Sequence, residues 1–196
     1  MSQTNDSKEK VSKNNESLLN WTSNIKKYNP ISWDRLPELD LYMDQVTTFL
    51  NRQLDVFSVD DEKMLTPSMI NNYVKGEVVP RPERKKYNKE HLSMLMIICL
   101  LKSVLSLPEI NMLLNGLTST ASASEIYSDF LDILSKSTDD MAKQIPFDMV
   151  KNGTKEEKYS VVLKLAIQSN MLRLAASKIL YSIEDVSKNL KEEKKD

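Results

Sequence analysis

Apolar side chains recur at helical spacing along most of the chain. Over 38–54 they fall at i, i+4, i+7 and i+8, which are positions on one face of a helix. The residues on this face are Tyr42, Val46, Phe49 and Leu50. The same spacing predicts a helix that begins near Glu125 and a long helix over about 154–190. The pattern therefore predicts a mainly α-helical protein.

The segment Met94–Leu101 is apolar in every direction around a helix. It predicts a buried central helix, for which Asn88 is the expected N-cap. Ser106 and Glu109 stand three residues apart, which is the spacing of a capping box, so a further helix should start there. Gly116 is expected to end that helix.

A short helix is predicted between Thr66 and Gly76. Thr66 is a favourable N-cap, Pro67 suits the first helical position, and Gly76 is typical of the residue that follows a helix. One face of this helix is apolar, and the opposite face is polar. The polar face consists of Ser68, Asn71, Asn72 and Lys75.

A basic segment follows the short helix. Pro80 and Pro82 exclude a helix from residues 77–87, and the β-branched pair Val78–Val79 permits a short strand. We expect a small hairpin or an extended loop, with a backbone that the prolines stiffen. Its cationic side chains are Arg81, Arg84, Lys85 and Lys86.

The net charge of −1 conceals a local separation of charge. Residues 31–62 contain eight acidic and two basic side chains, a local charge of −6. Residues 75–89 contain six basic and two acidic side chains, a local charge of +4. A neutral total therefore hides a basic patch. The length of 196 residues, with 40% apolar residues, fits one domain or one domain with an appended subdomain.

Other features point to the cytoplasm. The single cysteine, Cys99, cannot form a disulfide within the chain, which fits a reducing compartment. Residues 1–17 are polar, lack the apolar core of a signal peptide and are expected to be a disordered tail. The longest apolar run has eight residues, far fewer than the roughly 20 that a membrane span needs. We therefore expect a cytoplasmic protein that does not enter the membrane.

The sequence offers little support for catalysis. It contains no glycine-rich phosphate loop, no Cys/His metal-ligand spacing and no nucleophile elbow. His91 falls in the first turn of the central helix, where a surface or capping role is expected. We predict a protein that is not an enzyme and needs no cofactor and no metal.

The short helix and the basic segment have the properties that reading of DNA requires. A short helix with polar outward residues fits the major groove, and an asparagine amide pairs with adenine through two hydrogen bonds. Asn71 and Asn72 point about 100° apart on a helix, so only one is expected to face a base. Cations on a stiff loop neutralise phosphates beside the groove.

The stretch 65–114 resembles the DNA-binding domain of MerR-type regulators. The motifs that carry the resemblance are MINNYV, GEVVP, RPERKKYNKEHL and SLPEINMLL, in the order of that family. The resemblance implies a winged helix-turn-helix with a small β wing. It also implies that Tyr73 packs between the recognition helix and the wing. Arg84, Lys85 and Tyr87 would lie along the wing and its return strand.

The segments WDRLPELDLYMDQV and LTPSMINNYVKGEVVP, with the central helix, resemble more closely an uncharacterised bacterial family, domain of unknown function 1836. That resemblance covers about 33–114, and the family name implies no function. The chain departs from MerR-type regulators in two places. An acidic loop over 55–63 separates the two helices, and a linker over 118–124 with two further helices replaces the coiled coil.

Together these features predict a tail over 1–17, a winged helix-turn-helix domain with an N-terminal arm over 18–117, and a C-terminal helical subdomain over 125–190. We expect a homodimer, formed through the C-terminal helices, that regulates transcription by binding double-stranded DNA. The predicted DNA contacts are Ser68, Asn71, Asn72 and Lys75 on the helix and Arg81, Arg84, Lys85, Lys86 and Tyr87 on the wing. The alternative is a protein-interaction adaptor that has lost DNA binding, with the acidic segment paired to the basic patch.

Overall fold

The structure is a computed structural model that describes residues 18–58 and 62–192, with side chains of the last helix described to residue 183. The predicted tail and residues 59–61 of the acidic loop lie outside the described residues. The described chain is mainly helical, as the periodicity predicts. Its helices are α1 (18–27), α2 (Met43–Leu54), α3 (Pro67–Lys75), α4 (Lys89–Leu101), α5 (Leu107–Thr118), α6 (Ala123–Gln144), α7 (Phe147–Asn152) and α8 (Lys155–Glu192). Two short strands, β1 (Leu41–Tyr42) and β2 (Lys86–Tyr87), form a two-stranded sheet.

Helix α4 lies at the centre of the hydrophobic core, as its all-round apolar sequence predicts. Leu95, Met96 and Ile98 are completely buried, and α2 and α6 pack against the helix. Burial of each such side chain stabilises the fold by about 1.5–3 kcal/mol. The core around α4 therefore fixes the positions of the helices that surround it.

The N-terminal end of α4 has the predicted cap. The N–H of His91 donates to Asn88 Oδ1 at 3.1 Å, and the N–H of Asn88 donates to His91 Nδ1 at 3.2 Å. His91 therefore takes the place of the Glu or Gln that usually completes a capping box. The capping role is confirmed, but a surface position is wrong, because His91 is buried with its ring edge-on to Tyr87.

Helix α5 begins as predicted but continues past its expected end. The N–H and the hydroxyl of Ser106 both donate to Glu109 Oε2, at 2.8 and 2.6 Å. The prediction that Gly116 ends the helix is wrong, since α5 runs to Thr118. The buried Leu114 and the bond from Thr118 Oγ1 to its carbonyl, at 2.9 Å, hold the last turn on the core despite the glycine.

The first turns of α6 belong to the same core as the preceding helices. The Tyr127 side chain is completely buried, and its hydroxyl donates to the Ile31 carbonyl at 2.9 Å. Ile126 joins the same cluster. Helix α6 starts at Ala123, because Ser122 and Glu125 form a capping box. The core therefore crosses the boundary that the sequence predicts between 117 and 125.

The two strands of the small sheet are not the ones that the sequence permits at Val78–Val79. The strand that the sequence permits at Val78–Val79 does not form, because both N–H groups donate to the Tyr73 carbonyl, at 3.0 and 3.2 Å, and both side chains enter the core. Strand β2 pairs instead with β1, antiparallel, with Leu41 opposite Tyr87. Residues 41–42, predicted to be helical, thus form a strand, and α2 starts at Met43.

Helix α8 is 38 residues long and packs on the body through α5 and α7. Hydrogen bonds from Ser106 are the main cause that lowers the pKa of Glu109 to about 2. The Ser177 hydroxyl and the positive charge of Arg173, both on α8, act in the same direction. Much apolar surface of α8 remains exposed. These exposed side chains are Tyr159, Val162, Leu163, Ile167, Met171, Leu172, Leu174, Ile179, Tyr181 and Ile183. Among the described residues, no helix is long and apolar enough to cross a membrane.

Candidate nucleic-acid interface

Helix α3 presents its predicted polar face to the outside. Its start is confirmed, because Thr66 Oγ1 accepts from the Met69 N–H at 3.3 Å and Pro67 occupies the first turn. On the inner side Ile70 is completely buried and Tyr73 is 7% exposed. The exposed residues of the opposite face are Ser68, Asn71, Asn72 and Lys75.

The two asparagine side chains of α3 are available to a ligand. In the described part of the chain, neither the Asn71 nor the Asn72 amide has a hydrogen-bond partner. Each amide offers two donors and one acceptor oxygen, which is the set that pairs with the edge of adenine. The surface of α3 therefore carries unused hydrogen-bonding capacity of the type that reads base edges.

Asn51 on α2 fixes the chain that leads into α3. Its Oδ1 accepts from the Leu65 N–H at 2.9 Å, and its Nδ2 donates to the Leu65 carbonyl at 2.7 Å. The side chain thus imitates the backbone of a paired strand and anchors α3 to α2 one residue before the Thr66 cap. Sequence reasoning missed this residue. Its only signal is a poor helix former in the interior of a predicted helix.

A tight turn forms the tip of the basic segment. The Lys86 N–H donates to the Glu83 carbonyl at 2.8 Å, and the two residues form an antiparallel bridge. Between them Arg84 and Lys85 have φ angles of 48° and 64°. Positive φ at both central residues characterises the type I′ turn, for which Asn-Gly is the favoured sequence. We call residues 80–87 the wing, and its tip is this turn.

Most of the predicted wing cations point into solvent without a partner. Arg81, Arg84 and Lys85 are exposed, and within the described residues none of them forms an ion pair. The Lys86 ammonium lies 5.3 Å from the centre of the Tyr42 ring, so it is held partly against the protein. Among the described residues, the wing therefore presents three positive charges without an ion pair, next to Lys86, which lies over the Tyr42 ring.

Tyr87 does not lie on the surface that the sequence assigns to it. Only 3% of its side chain is exposed, and its ring packs edge-on against His91 with centres 5.5 Å apart. The resemblance places Tyr87 on the return strand, and it does lie in β2. Because the pleat of that strand turns its ring inwards, Tyr87 supports the wing from the side of the core.

The base of the wing rests on a neutral imidazole. Burial lowers the pKa of His91, while the nearby carbonyl groups of Pro80 and Arg81 and the charges of Glu90 and Asp40 partly oppose that shift. A lowered pKa favours the uncharged ring at neutral pH. The packing of the wing therefore depends on a group that a proton would disturb.

The acidic segment lies beside the wing, because β1 brings residues 41–42 against β2. Within the described residues, however, no ion pair joins this segment to the wing cations. The same part of the chain contains no group of three or more side chains that could hold a metal ion. The geometry thus offers donors and positive charge for a partner outside the molecule.

These features define a mainly α-helical protein in which an amide-bearing helix and a cationic turn are anchored to one core. A family model described as Domain of unknown function (DUF1836) matches residues 31–131, slightly more than half of the chain. The chain belongs to this family. The matched region contains α2 to α5, the wing and the first turns of α6. No curated protein and no solved structure matches the chain.

Proposed function

We propose that this protein is a transcriptional regulator that binds double-stranded DNA in a sequence-specific manner. The observation that carries the proposal is the presence, on the surface of the described chain, of two asparagine amides on α3 and three wing cations that have no partner among the described residues. Amides of this kind read bases, and cations of this kind bind phosphates. The resemblance to the winged helix-turn-helix of MerR-type regulators supports the same interpretation.

Helix α3 is the proposed recognition helix. Its nine residues span about 13 Å, which is comparable to the roughly 12 Å width of the major groove. Asn71 or Asn72 contacts a base edge, while Ser68 and Lys75 contact bases or phosphates beside it. The anchor between Asn51 and Leu65 holds α3 at a fixed angle to the body, so that its contacts are made in one register.

The wing binds the phosphate backbone next to the groove. Arg81, Arg84 and Lys85 supply the charge, and Lys86 adds to it from its position over Tyr42. Release of counterions by such contacts supplies much of the affinity of DNA-binding proteins and makes it dependent on salt. Affinity in this protein therefore comes mainly from the wing, and sequence preference from α3.

The regulator acts as a homodimer through α8. Alternating steps of three and four residues connect a series of positions on this helix, which is the spacing of a coiled-coil seam. The seam consists of Val162, Leu165, Ser169, Leu172, Ala176, Ile179 and Ile183. Val162, Leu172, Ile179 and Ile183 are each more than half exposed in the single chain. Two copies double the base contacts that one short helix can make.

Selection from a random pool of duplex DNA tests the proposal. We expect the full chain to enrich one sequence with two related half-sites, and Asn71→Ala with Asn72→Ala to abolish the enrichment. Asn115→Ala, which changes an exposed asparagine on α5, is the matched control and should leave the selected sequence unchanged. A pool that stays random even at low salt would contradict the proposal and favour the protein-interaction adaptor.

A further inference from the structure

A cavity of about 440 Å³ opens between the end of α4 and the segment that leads into α3. This volume lies within the range of about 300–1,000 Å³ that is usual for small-molecule sites. More of its exposed wall is apolar than polar, although five of its nine lining residues carry polar or charged side chains. The lining residues are Phe57, Ser58, Glu62, Lys63, Met64, Cys99, Leu100, Lys102 and Ser103.

Lys102 brings a positive charge into this cavity. Its side chain is only partly exposed, its ammonium donates to the Met64 carbonyl, and it lies 3.9 Å from the Met69 sulfur. Within the described residues no carboxylate approaches the ammonium to ion-pair distance. A partly buried charge with only neutral partners is costly, and an anion would relieve that cost.

We propose that the cavity binds a small amphipathic carboxylate. The carboxylate forms a charge-assisted hydrogen bond with Lys102, and the hydrocarbon part lies against Phe57, Met64 and Leu100. Lys63 at the exposed rim attracts the anion, whereas Glu62 beside it selects against ligands with a second negative group. The buried Cys99 forms part of the wall next to Lys102, and its thiol faces the Met64 carbonyl at 3.8 Å.

The ligand also acts on α3, a step that rests on the proposed function. Met64 precedes Leu65, which Asn51 anchors, and Thr66, which caps α3. The Lys102 ammonium has three N–H donors, and a carboxylate, which is the stronger acceptor, draws it away from the Met64 carbonyl. The segment that positions the recognition helix therefore differs between the free and the ligand-bound protein, so DNA affinity changes with the ligand.

Calorimetric titration of the full chain with butanoate, hexanoate, octanoate and phenylacetate tests the binding step, with hexan-1-ol as the uncharged comparison. We expect saturable binding of at least one carboxylate and about tenfold weaker binding of the alcohol, because it forms no ionic hydrogen bond. Lys102→Met should weaken carboxylate binding by a similar factor. Lys136→Met, which removes an exposed lysine on α6, should leave it unchanged.

The single cysteine gives a second readout that needs no variant. Cys99 is completely buried, so it reacts with a maleimide only when the structure opens, and a bound ligand should slow that reaction because it lowers the open fraction. No saturable binding of any carboxylate, or equal binding by Lys102→Met, would overturn the proposed site. If a carboxylate binds but leaves DNA affinity unchanged, only the coupling to α3 fails. If the protein binds a carboxylate and no DNA, the site stands and the proposed function fails.

Discussion

Arg84 and Lys85 adopt a backbone conformation that few residues other than glycine and asparagine adopt readily. Left-handed geometry costs an L-residue with a long side chain about 1–2 kcal/mol. The Asn-Gly pair, which would suit the turn best, carries no charge. The wing tip therefore carries two cations at positions where an uncharged pair would be less strained.

Replacement of the tip by Asn-Gly should separate the effect of backbone strain on stability from the effect of charge. We expect Arg84→Asn with Lys85→Gly to raise the free energy of unfolding by about 1 kcal/mol in urea denaturation, because the strained backbone is relieved. The matched control, Arg84→Gln with Lys85→Gln, removes the same charges and keeps the strain, so its stability should equal that of the original chain. Equal stability of both variants would show that the turn is not strained.

The structural role of Asn51 can be tested by exchanging one atom of its side chain. Asn51→Asp keeps the oxygen that accepts from the Leu65 N–H but places a second oxygen against the Leu65 carbonyl. We expect a loss of about 1–3 kcal/mol in the free energy of unfolding, measured with urea, because the carbonyl loses its donor. Asn115→Asp on the exposed side of α5 should change stability by less than about 0.5 kcal/mol. A similar cost at both positions would remove the argument for the anchor.

Among the elements, helix boundaries follow the sequence more closely than the strands do. Thr66, Asn88 and Ser106 start their helices as predicted, because each cap is satisfied by a residue three positions away. The sheet was not predictable in this way. Tyr42 meets Lys86 only because the core brings distant segments together, and Val78–Val79 gives up a strand to enter that core.

The start of α4 should make stability depend on pH. Burial lowers the pKa of His91, so between that value and its unfolded value of about 6.5 the unfolded chain binds more protons. Stability should therefore be complete above about pH 6.5 and should fall as the pH decreases below it. His91→Gln keeps a side chain that can complete the capping box but does not titrate in this range.

Thermal unfolding between about pH 7.5 and 5.5 measures this effect. The melting temperature of the original chain should fall over this interval by more than that of His91→Gln. Carboxylates elsewhere begin to titrate only near the lower end of this pH interval, and they lower the melting temperature equally in both proteins. Parallel curves for the two proteins would mean that His91 does not link the wing to pH.

At the scale of the whole molecule, α8 is the helix whose large apolar surface a single chain leaves exposed. Large apolar side chains are exposed on more than one face, whereas a helix that is apolar on several sides is normally buried. The periodicity of residues 154–190 predicted the helix, and the structure has it over Lys155–Glu192. The sequence alone could not tell whether its apolar stripe meets the protein's own core or another chain, because both partners require the same pattern.

Charge placed in the proposed seam should separate the subunits. We expect Leu172→Lys with Ile179→Lys to shift the protein from dimer to monomer in sedimentation equilibrium, because four ammonium groups would enter one apolar interface. Ser160→Lys with Ser182→Lys adds the same charge on exposed positions outside the seam and should leave the dimer intact. A monomer in the original chain would contradict this assembly.

The candidate site was predictable in part. Residues 68–75 show their polar face in the sequence, and the exposure of that face is confirmed. The burial of Tyr87 and the anchoring role of Asn51 were not visible, since each depends on a residue distant in the sequence, Leu41 for Tyr87 and Leu65 for Asn51. A strand of two residues is too short for the alternation of polar and apolar side chains to show which of them faces the core.

The central claim is that the wing tip neutralises phosphates while α3 lies in the major groove. The most direct test is the affinity for a mixed-sequence DNA duplex, measured by fluorescence anisotropy across a series of salt concentrations. We expect the logarithm of the association constant to fall linearly with that of the salt concentration, by about 0.9 for each phosphate contact. Arg84→Gln with Lys85→Gln should bind more weakly and with a shallower slope.

Lys26→Gln with Lys27→Gln, which removes two exposed charges from α1, is the control and should keep the slope of the original chain. A smaller slope for the wing variant alone is the result that the structure leads us to expect. Absence of binding at low salt, or equal slopes for all three proteins, would contradict the claim that the wing contacts DNA.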